Sequence, residues 1–150
     1  MLVLLTPEQV TRYWSEIKNG IDQAMKPTLD KGEKRGKEMF SMLMEGTLQC
    51  WVAAAKRQNA AEIYGFVITM VGRDPVVPSK LSLIVYVIFG MKHADDVVWG
   101  EALDDLESHA RKSGCSEICG YTEVKYVEDK ALSLGFKPKA FLYKEINQGG

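Results

Sequence analysis

Three cysteines, Cys50, Cys115 and Cys119, and two histidines, His93 and His109, are the residues whose chemistry would be redox work or metal binding. No C-x-x-C occurs, and on a strand over residues 115–119 the last two cysteines stand about 13 Å apart, beyond disulfide reach. Two scattered histidines make no zinc set with them. The pattern implies no metal, and reduced, mostly buried thiols in a cytoplasmic protein. A second place is the charged run 28–38, where Lys31, Lys34, Arg35 and Lys37 stand beside Asp30, Glu33 and Glu38. Such a run could cradle an anionic ligand, but the composition favours a solvated linker leading into a helix. A third is the Met-rich stretch Met39–Met44, which could line an adaptable binding surface and more simply fills a core.

The elements that must position these groups follow from hydrophobic period. Leu2–Leu5 is a short apolar run, then Thr6-Pro7 with Gln9 forms a capping box. Val10, Tyr13, Trp14, Ile17, Ile21 and Met25 continue at helical spacing until Lys26-Pro27 stops them. Met39–Met44 predicts a second helix, closed at Glu45-Gly46. Leu48–Ala55, Glu62–Val71 and Leu81–Phe89 predict three consecutive strands. The latter two are almost continuously apolar, so helices must cover both faces of the sheet. Asp95-Asp96 opens a helix carrying Val98 or Trp99, Ala102, Leu103, Leu106 and Ala110, closed at Ser113-Gly114. Ser116–Tyr121 predicts a strand, and Thr122 caps a further helix through Ala131–Leu134. Gly135-Phe136 turns the chain, Ala140–Ile146 is a last strand, and Asn147–Gly150 is a frayed end.

Composition narrows the function classes. The 150 residues, 46% of them hydrophobic, suit one α/β domain, 1–150, able to bury about 70% of its unfolded surface. Lys and Arg number 19 against 20 acidic residues, a net charge of −1. That balance argues against a nucleic-acid partner held by phosphate contacts. The longest apolar stretch, Leu81–Met91, is shorter than the roughly 20 residues a membrane helix needs, so no membrane partner is expected. The N-terminus has no basic region ahead of an apolar core of signal-peptide length.

The order strand, two helices, three strands, helix, strand, helix, strand resembles the GNAT superfamily of acetyl-CoA-dependent N-acetyltransferases. Gly100-Glu101-Ala102-Leu103 through Gly114-Cys115, and Leu134-Gly135-Phe136-Lys137-Pro138, carry the likeness in motif. It implies a mostly antiparallel sheet of about six strands with a splayed parallel pair and helices on both faces. It also implies acetyl-CoA in the splay and an amine as acceptor. Phe89, Gly90 and Met91 would then hold pantetheine, and Val98, Trp99 and Gly100 the pyrophosphate, with Gly90 at a bulge or splay point. Tyr121 would be the general acid, with Tyr126 its alternative, and Glu62 or Glu123 the base.

Two departures from the family pattern set limits on that reading. The phosphate-loop pattern is Gln or Arg, two residues, Gly, one residue, then Gly or Ala, and counted back from Gly100 it meets Asp95 and Val98. A helix-start Asp can take the amide hydrogens a phosphate would use. At roughly 6 Å and an effective dielectric near 20, each carboxylate also repels a phosphate charge by about 3 kcal/mol before screening. The Tyr that many relatives place four residues before the Gly-Phe turn is Ala131 here. Two functions stay open: an acyltransferase acting on an unknown amine, or a non-catalytic interaction module with a degenerate CoA site. The opening Leu-Leu-Thr-Pro-Glu-Gln and Cys50-Trp51-Val52 look like small phage and prophage GNAT-like proteins. That would make the second function a homo-oligomer or virion component, in the host cytoplasm or the virion.

Overall fold

The computed structural model describes residues 1–24, 33–74 and 77–147. Strand β1 (Leu2–Leu4) leads into Thr6, whose hydroxyl accepts the Gln9 amide while the Gln9 side chain accepts the Thr6 amide. The capping box read from the sequence therefore starts helix α1 (Pro7–Arg12). The single helix expected here is two, because the chain breaks at Tyr13 before α2 (Trp14–Ala24). Thr11 Oγ1 bonds back to the Pro7 carbonyl at 2.9 Å, a contact that bends helices. The apolar stripe survives the break: Val10, Ile17 and Ile21 are buried, whereas Tyr13 is exposed. Met25, Lys26 and Pro27 lie outside the described residues.

Helix α3 (Glu33–Glu45) starts six residues earlier than the Met-rich stretch suggested. Residues 33–38 are thus helical, with Arg35 half-buried and Gly36 buried, not a solvated linker; residues 28–32 lie outside the described residues. Lys18 and Arg35 share Asp22 at 3.2 and 3.4 Å, which ties α2 to α3. Gly36 is buried, and a Cβ there would meet the Lys18 stem at 3.2 Å. Met39 and Leu43 face the core, as the period required.

Strands β2 (Leu48–Arg57), β3 (Ala60–Arg73) and β4 (Leu81–Phe89) form an antiparallel meander. β1 adds to its outer edge, and β5 (Glu117–Gly120) pairs parallel with β4, giving the order β1-β2-β3-β4-β5. The sheet is covered on both sides. Val10, Ile21, Met39 and Leu43 pack with Cys50, Ile68 and Val87 on one face. On the other, helix α4 (Asp96–Lys112) and helix α5 (Lys125–Ser133) pack Trp99, Leu106 and Val127 against Trp51, Val67 and Leu83. Each such side chain contributes about 1.5–3 kcal/mol by leaving water. The Trp51 indole N–H bonds the buried Thr69 hydroxyl at 2.9 Å, and that hydroxyl donates to Gln49 Oε1, so the polar atoms near this layer are matched.

Three expectations change. The C-terminal segment over Ala140–Ile146 forms no strand, so the described sheet has five strands. Leu142 and Ile146 are 90% and 82% exposed. Thr122 does not cap α5 directly: its hydroxyl accepts the Val124 amide at 3.0 Å, and the helix begins three residues after Thr122. Among the thiols only Cys50 is fully buried; Cys115 and Cys119 are half-buried, and all three are free. Among the described residues no helix is long and apolar enough to cross a membrane, and no three-residue His/Cys/Asp/Glu group could hold a metal.

Candidate active site

Strand β5 decides where a site can form. Its ladder with β4 runs from Ser82–Glu117 to Val85–Gly120 and stops, while β4 continues to Phe89. Beyond Val85 the edge of β4 therefore faces a gap. The bulge lies there as well: Ile68 pairs with Val87 and Thr69 with Val85, which leaves Tyr86 as the extra residue. Gly90 is not the bulge. With φ +81 it turns the end of β4 into a short 3-10 helix over Met91–His93. A side chain there would also meet the Tyr64 carbonyl at 2.8 Å.

The gap opens into a cleft of about 780 Å³. Tyr86, Val87, Ile88 and Met91 form one wall, and Trp99, Leu103 and Leu106 of α4 another. Val127 and Ala131 of α5, with Leu134 at its C-terminal cap, close that side with Phe136. Gly120 to Val124, and Phe141 and Tyr143 from the unpaired C-terminal segment, lie across from β4. The cleft also reaches Ala24, Lys34, Arg35 and Glu38 on the opposite side of the sheet, so it passes through the splay.

Of the residues expected to bind a cofactor, Met91 and Trp99 line the cleft; Phe89, Gly90, Val98 and Gly100 are outside its lining. Phe89 is instead laddered to Phe66 and packed on Gly20 of α2. Tyr121 lines the cleft and Glu62 does not; Glu62 is exposed near the β2–β3 turn and accepts from Tyr64. Tyr121 Oη donates to Glu123 Oε1 at 3.0 Å, and its ring packs on Phe141 at 5.2 Å. The bond to the Glu123 carboxylate, then burial, hold this phenol above its ordinary pKa. Tyr126 is half-buried and is raised by burial alone. Cys119, also in the lining, is kept a neutral thiol, first by burial and then by Glu117 and Asp74. It is therefore no ready nucleophile.

At the start of α4 the Asp95 carboxylate accepts the Val98 amide at 3.0 Å. The side-chain oxygen thus holds one of the donors a phosphate would need. Asp96, next to it, is paired with Lys130 of α5. The walls fit a pantetheine thioester arm: they are apolar, and the unpaired β4 edge offers backbone groups. The helix end fits a diphosphate only in part.

Tyr86, Phe141 and Tyr143 complete a lining that spacing did not single out, and they join Cys119 and Ala131, the latter marked by its place four residues before Gly135.

No family model and no curated protein matches this sequence. Solved structures do match in fold. A predicted acetyltransferase with acetyl-CoA from Clostridium acetobutylicum superposes with TM-score 0.67 at 16% identity, over 98% of this chain and 95% of its own. Aminoglycoside 6'-N-acetyltransferase AAC(6')-Ih from Acinetobacter baumannii gives 0.70 at 11%, over 99% of each chain. Aminoglycoside N-acetyltransferase AAC(6')-Iy in complex with CoA gives 0.65 at 13%, over 99% and 95%. The chain has the GNAT fold.

Proposed function

We propose that this protein is an acyltransferase that moves an acyl group from a CoA thioester to an amine in the β4–β5 splay. The observation that carries the reading is the parallel ladder ending at Val85–Gly120 while β4 runs on to Phe89. That gap opens into an apolar cleft of the right kind for a pantetheine arm. Structures of the same fold that hold acetyl-CoA or CoA support it. Tyr86–Ile88, Met91 and Trp99 would hold the arm, and Ala131 and Leu134 would wall it. Bound there, the thioester supplies an activated acyl carbon.

The chain's own residues then do limited work. The acceptor nitrogen bonds to the acyl carbon and gives a proton to water, and the carbon–sulfur bond breaks. Tyr121 Oη, which donates to Glu123 at 3.0 Å, would turn that hydrogen to the leaving sulfur and take a proton back from the hydronium that the amine's proton leaves in water, with Glu123 holding the phenol in place. Cys119 stays a thiol, which favours direct attack over a covalent acyl-enzyme. Calorimetric titration with acetyl-CoA tests the reading. One saturable site is expected, with a thermal shift near 2.7 kcal/mol at about 100 times Kd. No heat and no shift at about 1 mM would refute it.

One observation favours a second reading. Asp95 occupies the Val98 amide, which suits an interaction module that kept the fold without the nucleotide site. In that case acetyl-CoA leaves the melting temperature unchanged, and gel filtration shows a stable oligomer or complex.

A further inference from the structure

We propose that the acceptor end of the cleft takes an amine that also carries a carboxylate, gripped by Arg35 with help from Lys34. This rests on the acyltransferase reading and adds the substrate class to it. The cleft crosses the sheet, and on the far side from α4 its charged lining is Lys34, Arg35 and Glu38 of the first turns of α3.

Arg35 is incompletely matched. Its side chain is only 16% exposed, its ion pair with Asp22 spans 3.4 Å, and Asp22 is shared with Lys18 at 3.2 Å. A well-formed guanidinium–carboxylate contact is closer to 2.7–2.9 Å. Arg35 Nε is buried and has no hydrogen-bond partner among the described residues. A half-buried guanidinium left in this state gains from a second anion, and its planar fork suits a carboxylate.

The local charge matches. Among the described residues that line this end of the cleft, Lys34 and Arg35 outnumber Glu38 by one positive charge. A single excess charge suits a carboxylate, not a dianionic phosphate, and it opposes a polycation. Glu38, one turn beyond Lys34 on α3, is left to meet the ammonium. Lys34 and Arg35 of the charged run that the sequence offered as an anion cradle thus line this mouth.

The test has two stages. Acetyl-CoA is titrated first by calorimetry; no binding overturns the acyltransferase reading itself. With the protein then saturated with CoA, whose free thiol transfers nothing, leucine, leucinamide and spermidine are titrated by saturation-transfer NMR. The inference expects leucine to bind at least ten-fold tighter than leucinamide or spermidine. Arg35→Gln should abolish that preference and Arg35→Lys restore part of it. Exposed Lys34→Gln should lower it two- to three-fold, and keeps the test open if Arg35 variants fail to fold. Acetyl-CoA binding without a preference for the acid, or with no binding by any of the three, overturns the inference alone.

Discussion

Asp95 is the residue on which the proposed donor binding turns. Its carboxylate stabilises α4 by capping Val98, and the same oxygen stands where a diphosphate would draw its hydrogen bonds. The two roles separate by substitution. Asp95→Asn keeps an acceptor oxygen and removes the charge, so acetyl-CoA should bind about ten-fold tighter with little change in melting temperature. Asp95→Ala should lose the cap, costing about 1 kcal/mol, or roughly 2–4 °C for a chain of this length. Equal acetyl-CoA affinity in wild type and Asp95→Asn, by calorimetry, would show that the carboxylate is not what limits binding. Cys50 gives a pH prediction. Burial pushes its thiol up from 9.0 to about 12, so only the unfolded chain ionises it between those values. With the folded pKa raised, this group's contribution is complete below pH 9 and is lost as pH climbs toward 12. Its slope reaches about 1.4 kcal/mol per pH unit. Urea melts of Cys50→Val should show a shallower alkaline decline than wild type.

At the scale of elements, the cleft depends on β4 being held tightly by β3 while β5 lets go of it. Gly65 makes the first possible: a Cβ there would lie 1.9 Å from the Phe89 carbonyl oxygen, closer than any side chain allows. Gly65→Ala should therefore push β3 and β4 apart at the end that borders the cleft. A loss of at least about 2 kcal/mol is expected, read as a lower denaturation midpoint. The strand boundaries here were legible from β-branched and aromatic runs, and α4 from its Asp95 start and apolar period. The early start of α3 was not, because Lys34, Arg35 and Glu38 read as a polar linker until Asp22 of α2 supplies a partner for Arg35. The missing last strand has the same cause. Ala140–Ile146 has strand propensity, but pairing needs an edge, and β5 offers four residues whose ladder already ends at Gly120.

The whole molecule is two apolar layers on one twisted meander, and neither layer needs the C-terminal segment. Phe141 packs on Tyr121, Tyr143 packs on Phe141 and both line the cleft, whereas Leu142 and Ile146 lie in solvent. Ending the chain at Lys139 should leave a cooperative melt within about 4 °C of wild type while weakening acetyl-CoA binding. A collapse of the melt would instead mean that this segment belongs to the core.

Local chemistry along the chain was enough to specify which stretches bury themselves, where helices start at Thr6 and Asp95, and that both sheet faces are covered. Those properties follow from period, capping and side-chain volume, which act over a few residues. The cleft belongs to another level. The gap past Val85, the bulge at Tyr86, Tyr121 against Glu123 and Arg35 at the far mouth all join residues from different elements. Only the paired sheet, with helices packed on each side, brings those groups within reach of one another.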